Sequence, residues 1–313
     1  MEETDTSKEG IEQWLRGLQD RICQRLEAAD GKGKFEEDKW ERPGGGGGRT
    51  RVLSEGAVIE KGGVSFSAVH GEVTERMAKG LKLEGKEFYA TGVSIVMHPW
   101  NPMVPIIHMN VRYFELDSGV YWFGGGIDLT PHYVDERQAA WVHHQLAVAC
   151  DKTDVAYYER FKTWADDYFY IKHRKETRGI GGIFFDRLGA EAGKTKVQLL
   201  ELIQNIGDSF ADIYTTLMAE NGALPYQEAQ REWQLLRRGR YAEFNLVWDA
   251  GTKFGLETDG RTESILMSLP PLARWTYDYQ AEAGSAEERT MKLLRKGIDW
   301  RNWAPENANL AKI

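Results

Sequence analysis

The spacing of apolar residues changes from a helical to a strand period and back along the chain. Residues 11–29 carry apolar side chains at helical intervals, and Asp30 and Gly31 end the pattern. Between residues 50 and 128 apolar and polar positions alternate, which is typical of β-strands. Helical spacing then returns, and we predict four further helices over 135–150, 153–175, 194–221 and 225–238.

The last third of the chain is predicted to return to strands before a final helix. Strand-like alternation occurs in 239–249, 252–257 and 263–269. Ser285 and Glu288 then form the start of a capping box for a helix over 285–297. With strands at both ends and helices between them, the pattern predicts an α+β fold with a single large, mainly antiparallel β-sheet. We expect its N- and C-terminal strands to lie together and helices to cover both faces.

A glycine-rich segment separates the first helix from the strands. Five consecutive glycines, Gly44–Gly48, follow Pro43 in a highly charged stretch, and we predict an irregular connector there. Arg49 and Thr50 follow the glycines, in place of the Gly-Lys-Ser/Thr of a phosphate-binding loop. We therefore divide the chain into an N-terminal helix with its connector, 1–49, and one domain over 50–313.

Composition and charge narrow the classes of partner. The 313 residues include 40 Lys and Arg against 48 Asp and Glu, which gives a formal net charge of −8. Such a chain lacks the basic face of a general nucleic-acid binder, so no nucleic-acid partner is expected. Two cysteines, Cys23 and Cys150, cannot form a multi-bridge scaffold, and we expect a cytoplasmic protein. No apolar run reaches ~18 residues, so we expect no transmembrane segment.

Polar residues gather on the faces of the predicted strands. His108, Asn110 and Arg112 alternate onto one face, and Ser94 and His98 do the same in the preceding strand. This pattern fits a hydrogen-bonding surface for a ligand, but a solvent-facing strand would also be polar. Asp128 follows the glycines 124–126, and glycines in a strand mark the close approach of another backbone or a ligand.

Histidines and one arginine are further candidates. Four histidines could hold a metal ion, but they lack the spacing of a recognisable zinc motif: His98, His108, His143 and His173. Single histidines on helices are more often satisfied core residues than ligands. Arg261 lies at a predicted turn, where a guanidinium could pair with a carboxylate or be an ordinary surface residue.

Long segments of the chain resemble the oxygen-dependent coproporphyrinogen III oxidases. The matching strings include GVSIVMHPWNPMVPIIHMNVRYF (92–114), WFGGGIDLTPHY (122–133) and DDYFYIKHRKETRGIGGIFFD (166–186). Two more segments, 60–71 and 237–279, extend the resemblance over about residues 50–280. The resemblance makes 50–313 the catalytic domain.

The resemblance implies an oxidative decarboxylation in porphyrin biosynthesis. Two propionates of coproporphyrinogen III would become vinyl groups, giving protoporphyrinogen IX, with O2 consumed and CO2 and H2O2 released. O2 is the implied co-substrate, a divalent cation is a further possibility, and no flavin, nicotinamide or haem is expected. A homodimer with its contact in about 241–276 is also implied. The alternatives are a metal-dependent oxygenase for another anionic substrate and a tetrapyrrole-binding protein without turnover.

The family pattern also assigns roles to single residues of this chain. The implied substrate contacts are Ser94, Asn110, Val111, Arg112, Asp259, Gly260 and Arg261. Asp259 stands where many members have a small residue. The proton donor falls on His108, and bacterial members place a divalent cation on the histidines that match His98, His108, His143 and His173. We further hypothesise that Asp128 receives or orients the pyrrole N–H protons.

Overall fold

The computed structural model describes residues 4–75, 77–78, 85–257 and 260–303. Its main element is a seven-stranded antiparallel sheet in the order β1-β2-β3-β4-β5-β6-β9, beside a small β7-β8 hairpin. The strands are β1 Phe35–Glu41, β2 Gly46–Ser54, β3 Ile59–Glu72, β4 Glu87–Pro99, β5 Ile106–Leu116, β6 Tyr121–Thr130, β7 Tyr170–Ile171, β8 Glu176–Thr177 and β9 Gly181–Gly189. The α+β prediction is confirmed.

Helices cover both faces of this sheet. In the described residues they are α1 Lys8–Asp30, α2 Glu136–Asp151, α3 Tyr157–Tyr168, α4 Lys196–Asn221, α5 Glu228–Val247, α6 Ala250–Glu257, α7 Thr262–Leu266 and α8 Ala286–Leu293. Helices α1 and α4 pack on the face that carries Ile107, Met109 and Val111, which together form the main hydrophobic core. Helix α5 reaches the opposite face, where Tyr241 packs against Val96 and Ile106.

Alternation predicted the central strands well. The hairpin expected around Asp117-Ser118-Gly119 is present, with β5 and β6 paired in register from Ile106 and Thr130 to Glu115 and Tyr121. The amphipathic first helix is also present, ending at Gly31 in the left-handed conformation. Alternation thus identified the strands that have one face on the hydrophobic core and the other face on a polar environment.

The strands predicted over 239–249, 252–257 and 263–269 are wrong. These segments lie mainly in α5, α6 and α7, and no described strand follows β9. The buried stripe of α5 carries charged residues, since Arg237 pairs with Glu176. A hydrophobicity pattern counts Arg237 as a polar position, because its acidic partner lies in a distant part of the chain. The helical period of the buried positions is therefore not visible in that pattern.

The irregular connector predicted around the five glycines is also wrong. Gly46, Gly47 and Gly48 begin β2 and pair with β3, while β1 pairs with the other edge of β2. The indole of Trp40 lies against Gly48, where a Cβ would come within 2.5 Å of the ring. Glycine is therefore used for close packing of a hairpin. The predicted division at residues 49 and 50 falls inside β2.

Among the residues that the structure describes, none of the helices has the length and apolar character needed to cross a membrane.

The Asp30 carboxylate fastens the end of α1 to the start of β3. It accepts hydrogen bonds from the backbone N–H groups of Gly33, Ala57, Val58 and Ile59 at 2.7 to 2.9 Å. Burial opposes ionisation, but these four donors outweigh it and hold the pKa of the Asp30 carboxyl below its usual range.

Replacing Asp30 by Ala should lower the free energy of unfolding by about 3 kcal/mol, because buried N–H donors lose a charged acceptor. Asp30→Asn should lose less, since the amide oxygen still accepts. Urea denaturation measures both, with Asp212→Ala on the exposed surface of α4 as the control. Equal losses in the Asp30→Ala and Asp212→Ala variants would contradict this role.

Candidate functional site

One face of the sheet carries the polar side chains that alternation predicted. His108, Asn110 and Arg112 of β5 lie on it, partly accessible, opposite the buried core side. Cross-strand pairing extends Asn110 into a row of polar side chains on five neighbouring strands: Asp38, Thr50, Ser65, Ser94 and Asn110. We call this the polar row. Its ends are roughly 19 Å apart, at about 4.8 Å per strand.

A second row on the same face consists largely of small residues. We call it the small-residue row, and its members in strand order are Trp40, Gly48, Ser67, Gly92, Arg112 and Gly124. A Cβ at Gly124 would lie 2.8 Å from Nε of Arg112. Glycine there leaves room for the guanidinium. Few large side chains project from the small-residue row, and glycines in strands mark the close approach of another backbone or a ligand. In the polar row Thr50 and Ser65 are buried, and Thr50 contacts Ser264 of α7 at 3.1 Å.

His108 and Asp128 face each other across β5 and β6. They are directly paired in the register, and His108 Nδ1 lies 3.2 Å from Asp128 Oδ1. Since an ionised carboxylate can only accept, Nδ1 carries the proton and Nε2 is the nitrogen left for a substrate. The His108 side chain is 25% exposed and that of Asp128 only 3%, so the imidazole is the accessible member of the pair.

Arg178 holds the other oxygen of Asp128. Its Nη2 donates to Oδ2 at 2.5 Å, and its Nη1 donates to the side chain of Asn245 at 2.9 Å. The guanidinium is almost fully buried among the rings of Phe169, Tyr241 and Phe244, each with its centroid within 4.9 Å. Cation–π attraction and the carboxylate compensate for the lost hydration of this charge.

This network keeps Asp128 ionised. Burial alone would raise the pKa of its carboxyl, but the nearby Arg178 charge and the His108 contact outweigh burial and hold the pKa below its usual range. The carboxylate beside Nδ1 fixes the tautomer and orientation of the imidazole. The arrangement therefore suits proton transfer at Nε2 of His108.

The predicted arginines lie at opposite ends of the face. Arg112 donates from Nη1 to Asn110 and from Nη2 to Asp186, both at 2.9 Å. Arg261 lies over β1 and β2, where it donates to Asp38 and, at 3.1 Å, to Ser264 Oγ. Two guanidinium groups thus stand at the two ends of a shallow polar surface. Carboxylates at opposite sides of one molecule could pair with them.

The remaining substrate-binding candidates are placed differently. Ser94 is paired with Asn110 at the β5 end of the polar row. The side chain of Val111 is fully buried on the core side, which leaves only its main chain near the polar face. Gly260 lies beside Arg261, and its N–H donates to the carbonyl of Gly255 at 2.8 Å. Asp259 lies outside the described residues.

A family model described as coproporphyrinogen III oxidase matches residues 10–300, which is most of the 313-residue chain. The chain belongs to the coproporphyrinogen III oxidase family. The match includes all the strands of the polar face and the segment that carries Arg261. The predicted family resemblance is confirmed, and with it an oxidoreductase of porphyrin biosynthesis.

The four histidines that the family resemblance assigned to a cation do not form one ligand set here. A histidine ligand needs a free lone pair on nitrogen. His143 donates from Nε2 to the carbonyl of Ile180 at 3.1 Å and so accepts from Tyr158 at Nδ1, 2.9 Å away. His173 accepts from Trp248 at Nδ1, and its Nε2 contacts Glu243.

The other two histidines do have a lone pair. His98 donates from Nε2 to the carbonyl of Ser268, and its buried Nδ1 has no hydrogen-bond partner. His108 keeps Nε2 free for a ligand, as described above. Within the described part of the chain, no group of three or more His, Cys, Asp or Glu side chains could hold a metal ion. The four histidines therefore do not fit one cation site in the described residues.

Sequence reasoning missed Arg178, which completes the His108 and Asp128 network. It is the first residue of the glycine-rich segment RGIGG, 178–182. The useful signal was its position directly before β9, the strand that pairs with β6 and therefore with Asp128. Only the pairing of β9 with β6 shows that Arg178 lies close to Asp128.

Buried neutral histidines link folding to pH. Burial lowers the pKa of His143 to about 3 and also holds the pKa of His98 and His132 well below the usual value. The unfolded chain binds protons at these imidazoles below about pH 6.5, whereas the folded protein does not. Acidification below that value therefore favours the unfolded state.

We expect the free energy of unfolding to fall below pH 6.5, with His143 contributing about 1.4 kcal/mol per pH unit. His143→Gln should reduce that slope by this amount. Chemical denaturation between pH 7 and pH 4.5 measures it, and His144→Gln, which removes an exposed imidazole from the same helix, is the control. The same slope in both variants would contradict the assignment.

Proposed function

We propose that this chain oxidatively decarboxylates two propionates of coproporphyrinogen III to vinyl groups with O2 as acceptor, giving protoporphyrinogen IX. The observation that supports the proposal most strongly is the polar face itself. It joins the His108 and Asp128 pair, a row of hydroxyl and amide side chains and two arginines on a surface about 19 Å wide. Membership of the family supports the substrate.

The proposed reaction balances without an organic cofactor. Each propionate loses CO2 and two hydrogen atoms to become a vinyl group, and one O2 takes up two electrons and two protons to form H2O2. The electrons come from the substrate, whose pyrroles are electron-rich because the macrocycle is not aromatic. Removing a pyrrole N–H proton would raise that reactivity. The protein must therefore bind the substrate, orient it and handle protons.

We propose that His108 exchanges protons with the substrate through Nε2. Asp128 fixes the tautomer and orientation of the imidazole through Nδ1, and Arg178 keeps Asp128 ionised. The role that we first assigned to Asp128, receiving or orienting pyrrole N–H protons, then acts through His108. The low exposure of Asp128 supports this division of roles.

We propose that the carboxylates of the substrate bind at the two ends of the polar face. Arg112 and Arg261 supply the charged donors, while Ser94 and Asn110 supply hydrogen-bonding groups between them. The main chain at Val111 and at Asp259 and Gly260 completes the proposed contacts. A charge-assisted hydrogen bond contributes about 1.5–3 kcal/mol, which is roughly a ten- to hundredfold effect on binding.

We also propose a homodimer with its contact in about 241–276. Large apolar side chains of this segment are exposed in the single chain, and an exposed apolar patch often marks an interface. They are Leu246, Val247, Phe254, Leu256, Leu272 and Trp275. A cytoplasmic location remains our expectation, supported by two cysteines that are both buried and unpaired.

The decisive assay supplies coproporphyrinogen III with and without O2 and a chelator, and follows protoporphyrinogen IX and H2O2. We expect product only with O2, and at the same rate after chelation. Product that requires an added metal would favour a metal-dependent oxygenase. Saturable binding without product under any condition would favour a tetrapyrrole-binding protein.

The same assay tests the proton-handling residue. His108→Gln should lower kcat by at least about a hundredfold, the usual contribution of a positioned acid or base. His144→Gln, on the exposed surface of α2, is the matched control. Near-normal kcat in a folded His108→Gln variant would remove His108 from the mechanism.

A further inference from the structure

Each of the two arginines at the ends of the polar face is already paired with an aspartate of this chain. Arg112 donates from Nη2 to Asp186, and Arg261 donates from Nη2 to Asp38. Nη1 of each has a neutral acceptor, the Asn110 amide oxygen and the Ser264 hydroxyl respectively. A guanidinium binds a carboxylate bidentately through Nη1 and Nη2 or through Nε and Nη2. Each geometry uses one of the two hydrogens on Nη2, so a propionate that approaches the edge held by the aspartate competes with it.

Of these two aspartates, Asp38 has the better defined surroundings. It begins the polar row, and its side chain is 56% exposed, so its loss would leave no buried cavity. Trp40 stands two residues away on the same face, with its ring centroid 5.9 Å from the Arg261 guanidinium carbon. Ser264 also contacts Thr50 of β2 at 3.1 Å. The β1-β2 hairpin therefore holds Arg261 above one end of the polar row.

We infer that Asp38 is an internal competitor for the substrate carboxylate at Arg261, and that the β1-β2 hairpin belongs to the substrate site. Binding there exchanges one carboxylate for another. A ligand with carboxylates at both ends can release both aspartates, whereas a ligand that lacks one leaves that arginine with its aspartate. Asp38 thereby determines how strongly the binding affinity depends on the carboxylates of the ligand. This inference rests on the proposed function.

The test is an anaerobic titration of coproporphyrinogen III, followed by tryptophan fluorescence, on the parent and on Asp38→Asn. We expect about two- to fivefold tighter binding in the variant, the range for loss of a competing exposed ion pair. Glu41→Gln removes an equal charge from the opposite face of β1 and controls for the general loss of negative charge. It should leave the Kd unchanged. Thermal unfolding checks that every variant is folded.

A double-mutant cycle identifies Arg261 as the group for which Asp38 competes. Arg261→Gln should weaken binding, and adding Asp38→Asn to it should change the Kd no further. Unchanged or weaker binding by Asp38→Asn, an equal gain in Glu41→Gln, or a gain that persists without Arg261 would overturn the inference while the proposed function stands. A parent protein that binds no coproporphyrinogen would overturn both.

Discussion

The antiparallel register of β1 to β6 is the constraint on which the candidate site depends. It sets Asn110 opposite Ser94, and His108 opposite Asp128. A shift of one residue would turn every one of these side chains to the other face of the sheet. The opposite face is packed against α1 and α4, so burial of Ile107 and Met109 fixes the register. The hydrophobic core thus determines which polar residues meet in the site.

In the network that we propose handles protons, one member is accessible and the other two are buried. His108 is accessible, while Asp128 and Arg178 lie behind it and are almost fully buried. The pKa of the Asp128 carboxyl stays below its usual range despite burial, because the positive charge of Arg178 is enclosed with it. Removing either partner would leave an unpaired buried charge, so the two must be interpreted together.

The sequence could predict those parts of the fold and of the candidate site that a local period of polar and apolar residues determines. Alternation in β5 gave the face of His108, Asn110 and Arg112 because a strand reverses its side chains at each residue. What failed depended on distant partners. Arg238 is fully buried in α5 because Glu60 of β3 accepts from it, and no local pattern shows that pairing. Likewise the glycines of β2 form a strand because Trp40 packs on them.

The net charge of −8 argues against a nucleic-acid partner, yet the proposed substrate itself carries four carboxylates. Under the proposed function the two arginines supply the positive charge locally, and each is paired with an aspartate in the free chain. Capture should therefore depend on short-range exchange of partners more than on long-range attraction.

The central claim is that the polar face binds the tetrapyrrole. A crystal structure of the protein with coproporphyrin III, the stable oxidised form of the substrate, tests it most directly. The predicted result is a macrocycle over the polar row, with His108 at its β5 edge and carboxylates at Arg112 and Arg261. A macrocycle bound elsewhere, such as in the cleft lined by Tyr133, Arg137 and Arg289, would contradict it.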